Sequence, residues 1–295
     1  MKELAFFLLS GAALGGLYGL LALGFVVIYK ATHVLNFAHG SFVLLGAYVV
    51  ARFSSWSFWG ALAIGVLVTV VLALLAERVL IRTMAGRAVL SVTIMTVGLD
   101  IVLLTAARTE INTQLLPTRD PWGDKQVVLL GLVMPQARLV ALLVSIVVAV
   151  SFFIWLRYSR WGLAFRAATE KREAAALMGI GLGTLSALAW AIAGALATVS
   201  GVLLATYPYP GVNLDLGTIA LAALPAAVIG GLESAPGAII GGLIVGIGQI
   251  LVQGYQEYLT WLGAGFHEVF TFGLMLLVLL VRPQGLFGQK EIVRA

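Results

Sequence analysis

The sequence contains no cysteine, and its 295 residues lack several motifs of soluble enzymes. Without cysteine the chain forms no disulfide, no thiolate metal site and no cysteine nucleophile, although this does not indicate the redox state of its compartment. No G-x-x-x-x-G-K-[ST] phosphate-binding loop occurs, so the chain does not hydrolyse ATP by that means. His267 and Glu268 are adjacent, but the second histidine of an H-E-x-x-H zinc site is missing. We therefore expect a protein that is not itself an enzyme and that uses no cofactor.

Charged residues are also scarce. They make up 11% of the chain, against about 25% in soluble domains, while 61% of the residues are hydrophobic and the mean hydropathy is +1.05. No polar stretch is long enough for a soluble catalytic domain, which leaves transport, channel activity, intramembrane catalysis or scaffolding. The net charge of +5 would suggest nucleic acid in a soluble protein. Here we expect no nucleic acid partner, because basic residues set the orientation of membrane helices.

Apolar stretches that approach the length of a membrane crossing recur along the whole chain. They lie at residues 4–28, 34–51, 57–76, 88–107, 138–156, 185–206, 217–232, 237–253 and 267–281. The first is predicted to be a retained helix rather than a signal peptide, because its apolar core is too long and has no clear cleavage site. The sequence predicts a single all-α integral membrane domain over residues 1–295, with eight or nine transmembrane helices, one of them re-entrant.

Lysine and arginine are divided unevenly between the two sides of the membrane. With nine crossings, twelve of the 18 basic residues fall on the side that carries the C-terminus. Cytoplasmic loops carry the excess of basic residues, so we expect the C-terminus in the cytoplasm and the N-terminus outside. Eight crossings with both termini inside would put a basic cluster, 78–87 or 157–172, outside unless the re-entrant element comes early.

One short pattern occurs twice in the chain. Asn36 begins N-x-x-x-G-[ST]-apolar in NFAHGSF, and Asn213 begins it again in NLDLGTI. In the nine-crossing topology the two copies begin on opposite sides of the membrane. This is typical of an inverted repeat, whose interrupted helices tend to meet around a translocation path. A chance match stays an alternative, because the chain contains 34 glycines.

The stretch NFAHG separates two long apolar runs and has two interpretations that are compatible. As a structural break, Asn36 would be the N-cap of a helix over 37–52. That does not explain His39, which would lie in the first turn and need a partner. As a site, the two side chains would share one helix face and line a pathway. A metal site is not expected, since His33 and His39 do not share a helical face.

A carboxylate, Asp100, lies deep in the apolar stretch SVTIMTVGLDIVLL, with Thr93 and Thr96 on the same helix face. An ionisable residue at this depth indicates a functional position by default. Asp100 could carry a proton, bind a substrate ammonium group, or pair with a neighbouring segment for structural reasons. The residues that we assign to a pathway are Asn36, His39, Gly40, Thr96, Asp100, Asn213 and Gly217.

A polar loop at about 157–184 carries a helix signal. Its core, residues 160–178, is rich in good helix formers, and Gly179 is predicted to end the helix. The apolar positions recur at helical spacing, at Leu163, Ala167, Ala174 and Leu177. An amphipathic helix lying on lipid is one interpretation. The mixed charges of the polar face and the short, small-residue stretch EAAALMG favour docking in a protein groove.

Several motifs resemble a known family of transport proteins. Within the loop, residues 173–179 form EAAxxxG, which resembles the cytoplasmic coupling loop of ABC-importer permeases, where a short helix sits in a cleft of the ATPase subunit. The segments NFAHGSFVLLGAYV, AALPAAVIGGLESAPGAIIGG and VRPQGLFG together resemble the branched-chain amino-acid permease family of the LivH type. The resemblance extends from Gly16 to Gly288. The I-x-LP continuation of the longer EAA motif is absent after Gly179, which leaves the detailed geometry of the docking loop open.

The resemblance implies the permease subunit of an ATP-driven importer of leucine, isoleucine and valine in the bacterial inner membrane. Its implied partners are a second, homologous permease subunit, two ATP-binding subunits, an external solute-binding protein and membrane lipid. The residues assigned to ATPase coupling are Arg166, Glu170, Glu173, Ala174, Ala175 and Gly179.

Three alternatives to this function stay open. The same machine could import urea, amides or other amino acids, because related permeases share these motifs. An ion-coupled secondary transporter could use Asp100 and His39 as a proton relay. A membrane scaffold would be consistent with the helix of the 157–184 loop and with little else.

Overall fold

The computed structural model describes residues 2–84, 86–111, 115–123, 125–129, 131–170, 172–258 and 265–288. The elements are α1 (Lys2–Thr32), α2 (His39–Phe53), α3 (Phe58–Ala76), α4 (Val89–Ile111), β1 (Gln126–Leu129), β2 (Leu132–Pro135), α5 (Gln136–Tyr158), α6 (Arg160–Glu170), α7 (Arg172–Leu177), α8 (Leu182–Leu204), α9 (Asp215–Leu221), α10 (Leu224–Gly230), α11 (Ala235–Gly254) and α12 (Phe266–Val281). A π-helical turn (Glu77–Ile81) and a 3-10 turn (Arg82–Met84) extend α3.

Six of these helices are long and apolar enough to cross a membrane: α1, α3 with its extension, α4, α5, α8 and α11. Shorter apolar segments are α2, the pair α9–α10, and α12. Together they reproduce the nine predicted apolar stretches, and the prediction of an all-α membrane protein is confirmed. The chain is a multi-pass membrane protein.

The transmembrane elements run between two opposite sides of the protein, which we call the hairpin side and the α6 side. The hairpin side holds the antiparallel pair β1–β2, and the α6 side holds α6 and α7. Helix α1 runs from the hairpin side, where Phe6 contacts Arg138 at the start of α5, to the α6 side. The hairpin was not predicted within the polar loop at 108–137. It forms because Gly131 supplies a positive φ of 76° between two short apolar runs.

The first helix of each half of the chain packs against the third helix of the other half. Helix α1 packs on α11, where a Cβ on Gly15 would lie 2.7 Å from Leu243 Cα. Helix α8 packs on α3, where a Cβ on Gly194 would lie 2.8 Å from the Thr69 carbonyl oxygen. Such close approach requires small residues, which is how helices pack in lipid. Because α1 and α8 run in opposite directions, this exchanged packing agrees with the predicted inverted repeat.

Two helices differ from the bounds that the sequence predicted. The helix expected over 37–52 begins only at His39, and Ala38 occupies its N-cap position. The prediction of Asn36 as this N-cap was therefore wrong. The stretch 217–232 is divided into α9 and α10, because Pro225 in the first turn of α10 lacks the N–H that would continue α9.

The helix predicted over 160–178 consists of α6 and α7, and residue 171 between them lies outside the described residues. The prediction that Gly179 ends this segment is confirmed. Gly179 has φ of 82°, its N–H donates to the Ala176 carbonyl at 3.0 Å, and the Ile180 N–H donates to the Ala175 carbonyl at 3.0 Å. This is a glycine-terminated Schellman end. Of the four apolar positions at helical spacing, Ala167 is half-buried, whereas Leu163, Ala174 and Leu177 are exposed.

Candidate translocation site

The two copies of the repeated pattern meet in the structure at a pair of glycines. A Cβ placed on Gly40, in the first turn of α2, would lie 2.5 Å from the Gly217 carbonyl oxygen and 3.0 Å from Leu221 Cγ. A Cβ placed on Gly217, in α9, would lie 3.3 Å from the Gly40 carbonyl oxygen. Any side chain at residue 40 would therefore push the interrupted helices apart. The absence of a side chain lets α2 and α9 cross backbone to backbone.

The break before α2 lies within the depth of the bundle. His39 contacts Gly24 of α1, which lies eight residues before α1 ends at Thr32, or about 12 Å at a rise of 1.5 Å per residue. Irregular backbone at this depth needs partners inside the protein. Thr96 of α4 supplies them, because its Oγ1 accepts the Phe37 N–H at 3.1 Å and lies 3.1 Å from the Leu35 carbonyl oxygen.

Asn36 and Asp100 complete this hydrogen-bonded break. Asn36 Oδ1 accepts the Ala38 N–H at 3.1 Å, which forms a turn ahead of the helix rather than a cap on it. The Ser41 hydroxyl donates to Asp100 Oδ1 at 2.5 Å and lies 3.2 Å from the Asp100 carbonyl oxygen. The structure thus pairs Asp100 with a hydroxyl of α2. Its assignment to the pathway stays a prediction.

His39 lies on the opposite side of α2 from this network, against α1. Its ring is fully buried, with its centroid 4.6 Å from that of the Phe25 ring. A Cβ on Gly24 would lie 2.5 Å from His39 Cε1, so the imidazole occupies the space that this glycine leaves open. The structure places His39 in helix packing, and a role for it in a pathway stays a prediction.

The break before α9 borders a cavity of about 700 Å³. Its lining combines polar side chains with aliphatic and aromatic ones and includes Tyr18, Asn213, Asp215, Thr218, Ile219, Gln249, Thr271 and Phe272. Asn213 Nδ2 donates to Asp215 Oδ2 at 3.2 Å. The break itself is anchored by a backbone pair, in which Leu116 and Val212 exchange hydrogen bonds of 3.0 and 2.8 Å. The cavity has the size and mixed lining of a small-molecule site.

Several residues of this arrangement were not among the predicted site residues. Ser41 belongs to the repeated pattern, and its position beside Gly40 was the signal that could have identified it. Gln249 and Thr271 are polar residues within apolar stretches, which is a weaker signal of the same kind. Tyr18 carries no such signal, because its neighbours are glycines and leucines.

The six predicted coupling residues lie at the α6 side. Arg166 Nη2 donates to the Arg157 carbonyl oxygen at 3.2 Å, and Glu170 is exposed. Ala174 and Gly179 are exposed, whereas Ala175 is buried. Glu173 belongs to α7, but its side chain lies outside what the structure describes. The assignment of these residues to ATPase coupling stays a prediction.

Comparisons with known proteins identify the family. Residues 7–279 match the family described as branched-chain amino acid transport system / permease component. The chain is 33% identical to the high-affinity branched-chain amino acid transport system permease protein LivH of Escherichia coli K12, over 96% of this chain and 95% of that protein. It is 30% identical to the corresponding protein BraD of Pseudomonas aeruginosa, over 97% and 96%.

A structural comparison adds one alignment. The solved structure of PsaBC from Streptococcus pneumoniae in complex with Fab aligns with 97% of this chain and 94% of that chain, at 14% identity and a TM-score of 0.48. The near-complete family match and the 33% identity over almost the whole chain decide the classification: this chain belongs to the branched-chain amino acid transport system permease family.

Proposed function

We propose that this chain is the membrane-embedded permease subunit of an ATP-driven importer of leucine, isoleucine and valine. The observation that carries the proposal is the cavity of about 700 Å³ beside the interrupted helix α9. Family membership supplies the cargo class, because the relatives are named for branched-chain amino acid transport.

The cavity lining is suited to an amino acid with an aliphatic side chain. Asp215 offers a carboxylate to an ammonium group, and Thr218 and Gln249 offer neutral hydrogen-bonding groups. Ile219 and Phe272 offer apolar surface to the side chain. Binding at such a site is expected to be weak, because selection would reside in a separate solute-binding protein.

The surface of α6 and α7 supports docking of an ATP-binding subunit. Trp161, Leu163, Leu177 and Met178 are all more than half exposed, and Leu177 reaches 89%. Exposed apolar residues concentrated on one short polar segment indicate a protein contact. In this proposal the α6 side faces the cytoplasm, in agreement with the excess of lysine and arginine, and the hairpin side faces the solute-binding protein.

The proposed mechanism is alternating access. ATP binding closes two ATP-binding subunits, and α6 with α7 transmits that movement to the helix bundle. This chain and a second permease subunit then rock about a shared path, to which α9 and its cavity contribute. The close crossing of Gly40 and Gly217 would keep α2 and α9 in register during that motion.

The direct test is uptake by the complete transporter reconstituted in lipid vesicles. We expect ATP-dependent accumulation of labelled leucine, with competition by valine and isoleucine and not by urea. Competition by urea or alanine instead would support an ATP-driven importer with a different substrate. Uptake that continues without ATP and stops in Asp100→Asn would contradict the proposal and favour a secondary transporter.

The coupling segment can be tested in the same vesicles. Glu173→Arg is expected to lower ATP-driven uptake at least about tenfold, which corresponds to about 1.4 kcal/mol, because it reverses a charge in the proposed docking helix. Glu233→Arg reverses an exposed charge in the turn between α10 and α11, outside α6 and α7, and serves as the control with unchanged uptake. Unchanged uptake in Glu173→Arg would contradict the assignment of the coupling loop.

A further inference from the structure

A second cavity, of about 570 Å³, lies on the hairpin side between the first turns of α1 and α5, the loop after α8 and the end of α11. Its lining includes Phe6, Ser10, Arg138, Thr206, Tyr207 and Gln253. The residue Pro210 lines both this cavity and the larger one beside α9. The two cavities are therefore neighbours along the same loop.

Arg138 is the notable member of this lining. Its side chain is only 8% exposed, and its Nε and Nη1 atoms are buried without a hydrogen-bond partner. The guanidinium carbon lies 4.5 Å from the centroid of the Phe6 ring and 5.0 Å from that of Tyr207. Aromatic rings stabilise the flat face of a guanidinium group, but they do not satisfy the N–H groups at its edge.

The described part of the lining offers this cation no opposite charge. None of the described residues that line the cavity is aspartate or glutamate. The Tyr207 hydroxyl donates to the Ser10 carbonyl oxygen at 3.4 Å. Burial raises the pKa of Tyr207, and Arg138 opposes that rise through its charge and a hydrogen bond with the phenol. Arg138 thus keeps two buried guanidinium nitrogens without an acceptor, which is unfavourable for a buried charge, and the cavity beside them leaves room for an anion.

An oxyanion is the ligand chemistry that matches this site. A guanidinium group binds a carboxylate or a phosphate through two parallel N–H bonds, and the position of Arg138 in the first turn of α5 adds the positive end of a helix. The apolar rings of Phe6, Phe7 and Tyr207 suit a ligand that carries a hydrocarbon part next to its anionic group. Two sources meet this description, a small carboxylate solute and the phosphate of a lipid.

We propose that Arg138 binds the carboxylate of the transported amino acid in a vestibule that precedes the cavity beside α9. The shared residue Pro210 and the loop 205–211 connect the two cavities, which favours the solute over the lipid. This inference rests on the proposed function, since it assigns a subsite to the same path.

The test separates carboxylate recognition from transport. Thermal unfolding of the purified complete transporter is followed with 4-methylpentanoate, which is leucine without its amino group, and with 3-methylbutylamine, which is leucine without its carboxylate. A ligand of the folded state raises the unfolding temperature with its concentration. We expect a rise with the carboxylate that depends on Arg138, whereas the response to the amine, which can bind only beside Asp215, does not depend on Arg138.

Variants at Arg138 assign the response to this site. Arg138→Gln is expected to weaken the response to 4-methylpentanoate at least about tenfold, equivalent to about 1.4 kcal/mol. Arg138→Lys, which keeps the charge but not the paired N–H groups, is expected to weaken it severalfold and serves if the glutamine variant does not fold. Lys125→Gln removes an exposed positive charge on the same side and should respond as the wild type does.

Two results would overturn the inference. One is an unchanged response to 4-methylpentanoate in the Arg138 variants. The other is stabilisation of the delipidated wild-type transporter by phosphatidylglycerol and not by 4-methylpentanoate, lost in Arg138→Gln, which would assign the arginine to lipid phosphate. If the wild-type protein binds the carboxylate but transports no leucine, the proposed function fails while the anion site stands.

Discussion

The two interrupted helices have the same sequence pattern but different surroundings. In the first copy, Ser41 bonds to Asp100, and Thr96 bonds to the backbone of the break. In the second copy, the Asn213 side chain bonds to its neighbour Asp215, Val212 pairs with the backbone of Leu116, and Thr218 lines an open cavity. The first break is closed by contacts with α4, whereas the second is open toward a space that a solute can fill.

This difference indicates that the two copies of the repeated pattern have different roles. The first break is an anchor, because moving it would remove the partners on α4 from the Phe37 N–H, the Leu35 carbonyl and the Ser41 hydroxyl and leave these groups unsatisfied in hydrocarbon. A break that borders a cavity keeps polar groups available for a ligand. We infer that the first copy holds the architecture and that the second copy contributes the path.

The largest effect on uptake and stability is expected at the crossing of α2 and α9, where Gly40 and Gly217 are compared. Gly40→Ala should reduce leucine uptake at least about tenfold and destabilise the protein by about 1–3 kcal/mol, because its Cβ would lie 2.5 Å from the Gly217 carbonyl oxygen. Gly217→Ala should cost clearly less than Gly40→Ala, because its Cβ would lie 3.3 Å from the Gly40 carbonyl oxygen, which needs to move by only a few tenths of an ångström. Uptake and thermal unfolding of both variants measure this, and equal effects would contradict the described crossing.

The next largest effect on stability is expected at the hydroxyl residue that follows each of these glycines. Ser41→Ala leaves the Asp100 carboxylate without its donor and should cost about 1.5–3 kcal/mol of unfolding free energy, as for hydrogen bonds to charged groups. Thr218→Ala, at the equivalent position of the second copy, should change stability by less than about 0.5 kcal/mol. Chemical denaturation of the purified protein gives both values. A larger loss in Thr218→Ala would reverse the roles assigned to the two breaks.

A smaller effect is expected at the threonine that bonds to the first break. Thr96→Val removes the partner of the Phe37 N–H and should cost about 0.5–1.5 kcal/mol. Thr93→Val lies one turn away on the same helix and is partly exposed, so it provides a matched control with little change. Hydrogen exchange of the Phe37 amide should accelerate in Thr96→Val alone. Protection that persists there would show that another group holds the break.

The smallest stability change is expected at Asn213, in the break before α9. Asn213→Ala should alter unfolding free energy by less than about 0.5 kcal/mol, because its described partner is the neighbouring Asp215. Its expected consequence is kinetic, a few-fold rise in the leucine concentration that gives half-maximal uptake. A strongly destabilised protein with unchanged kinetics would show that Asn213 is an anchor instead.

Much of the fold followed from the sequence, because hydropathy and length decide where a chain crosses a bilayer. The nine apolar stretches and the end of the amphipathic segment at Gly179 were predicted. The start of α2 was not, since a hydropathy window does not show that residues 35–37 bond to Thr96 on a distant helix. The split at Pro225 was readable from the sequence and was missed.

The candidate site was harder to predict, because its parts come from helices far apart in the chain. The repeated pattern indicated Asn36, Gly40, Asn213 and Gly217, and the structure brings the two glycines into contact. The sequence offered no means of deciding which copy borders a cavity. That depends on whether α4 or a free space lies beside the break, which is a property of packing rather than of the pattern.

The absence of cysteine makes the most direct test of this comparison straightforward. Single cysteines at Ser41 and Thr218 in the reconstituted transporter would be treated with a water-soluble maleimide, with and without leucine, and modification of this chain read by mass spectrometry. We predict rapid modification at Thr218→Cys that leucine slows, and none at Ser41→Cys. Rapid modification at Ser41→Cys, with leucine protecting that position and not Thr218→Cys, would contradict it.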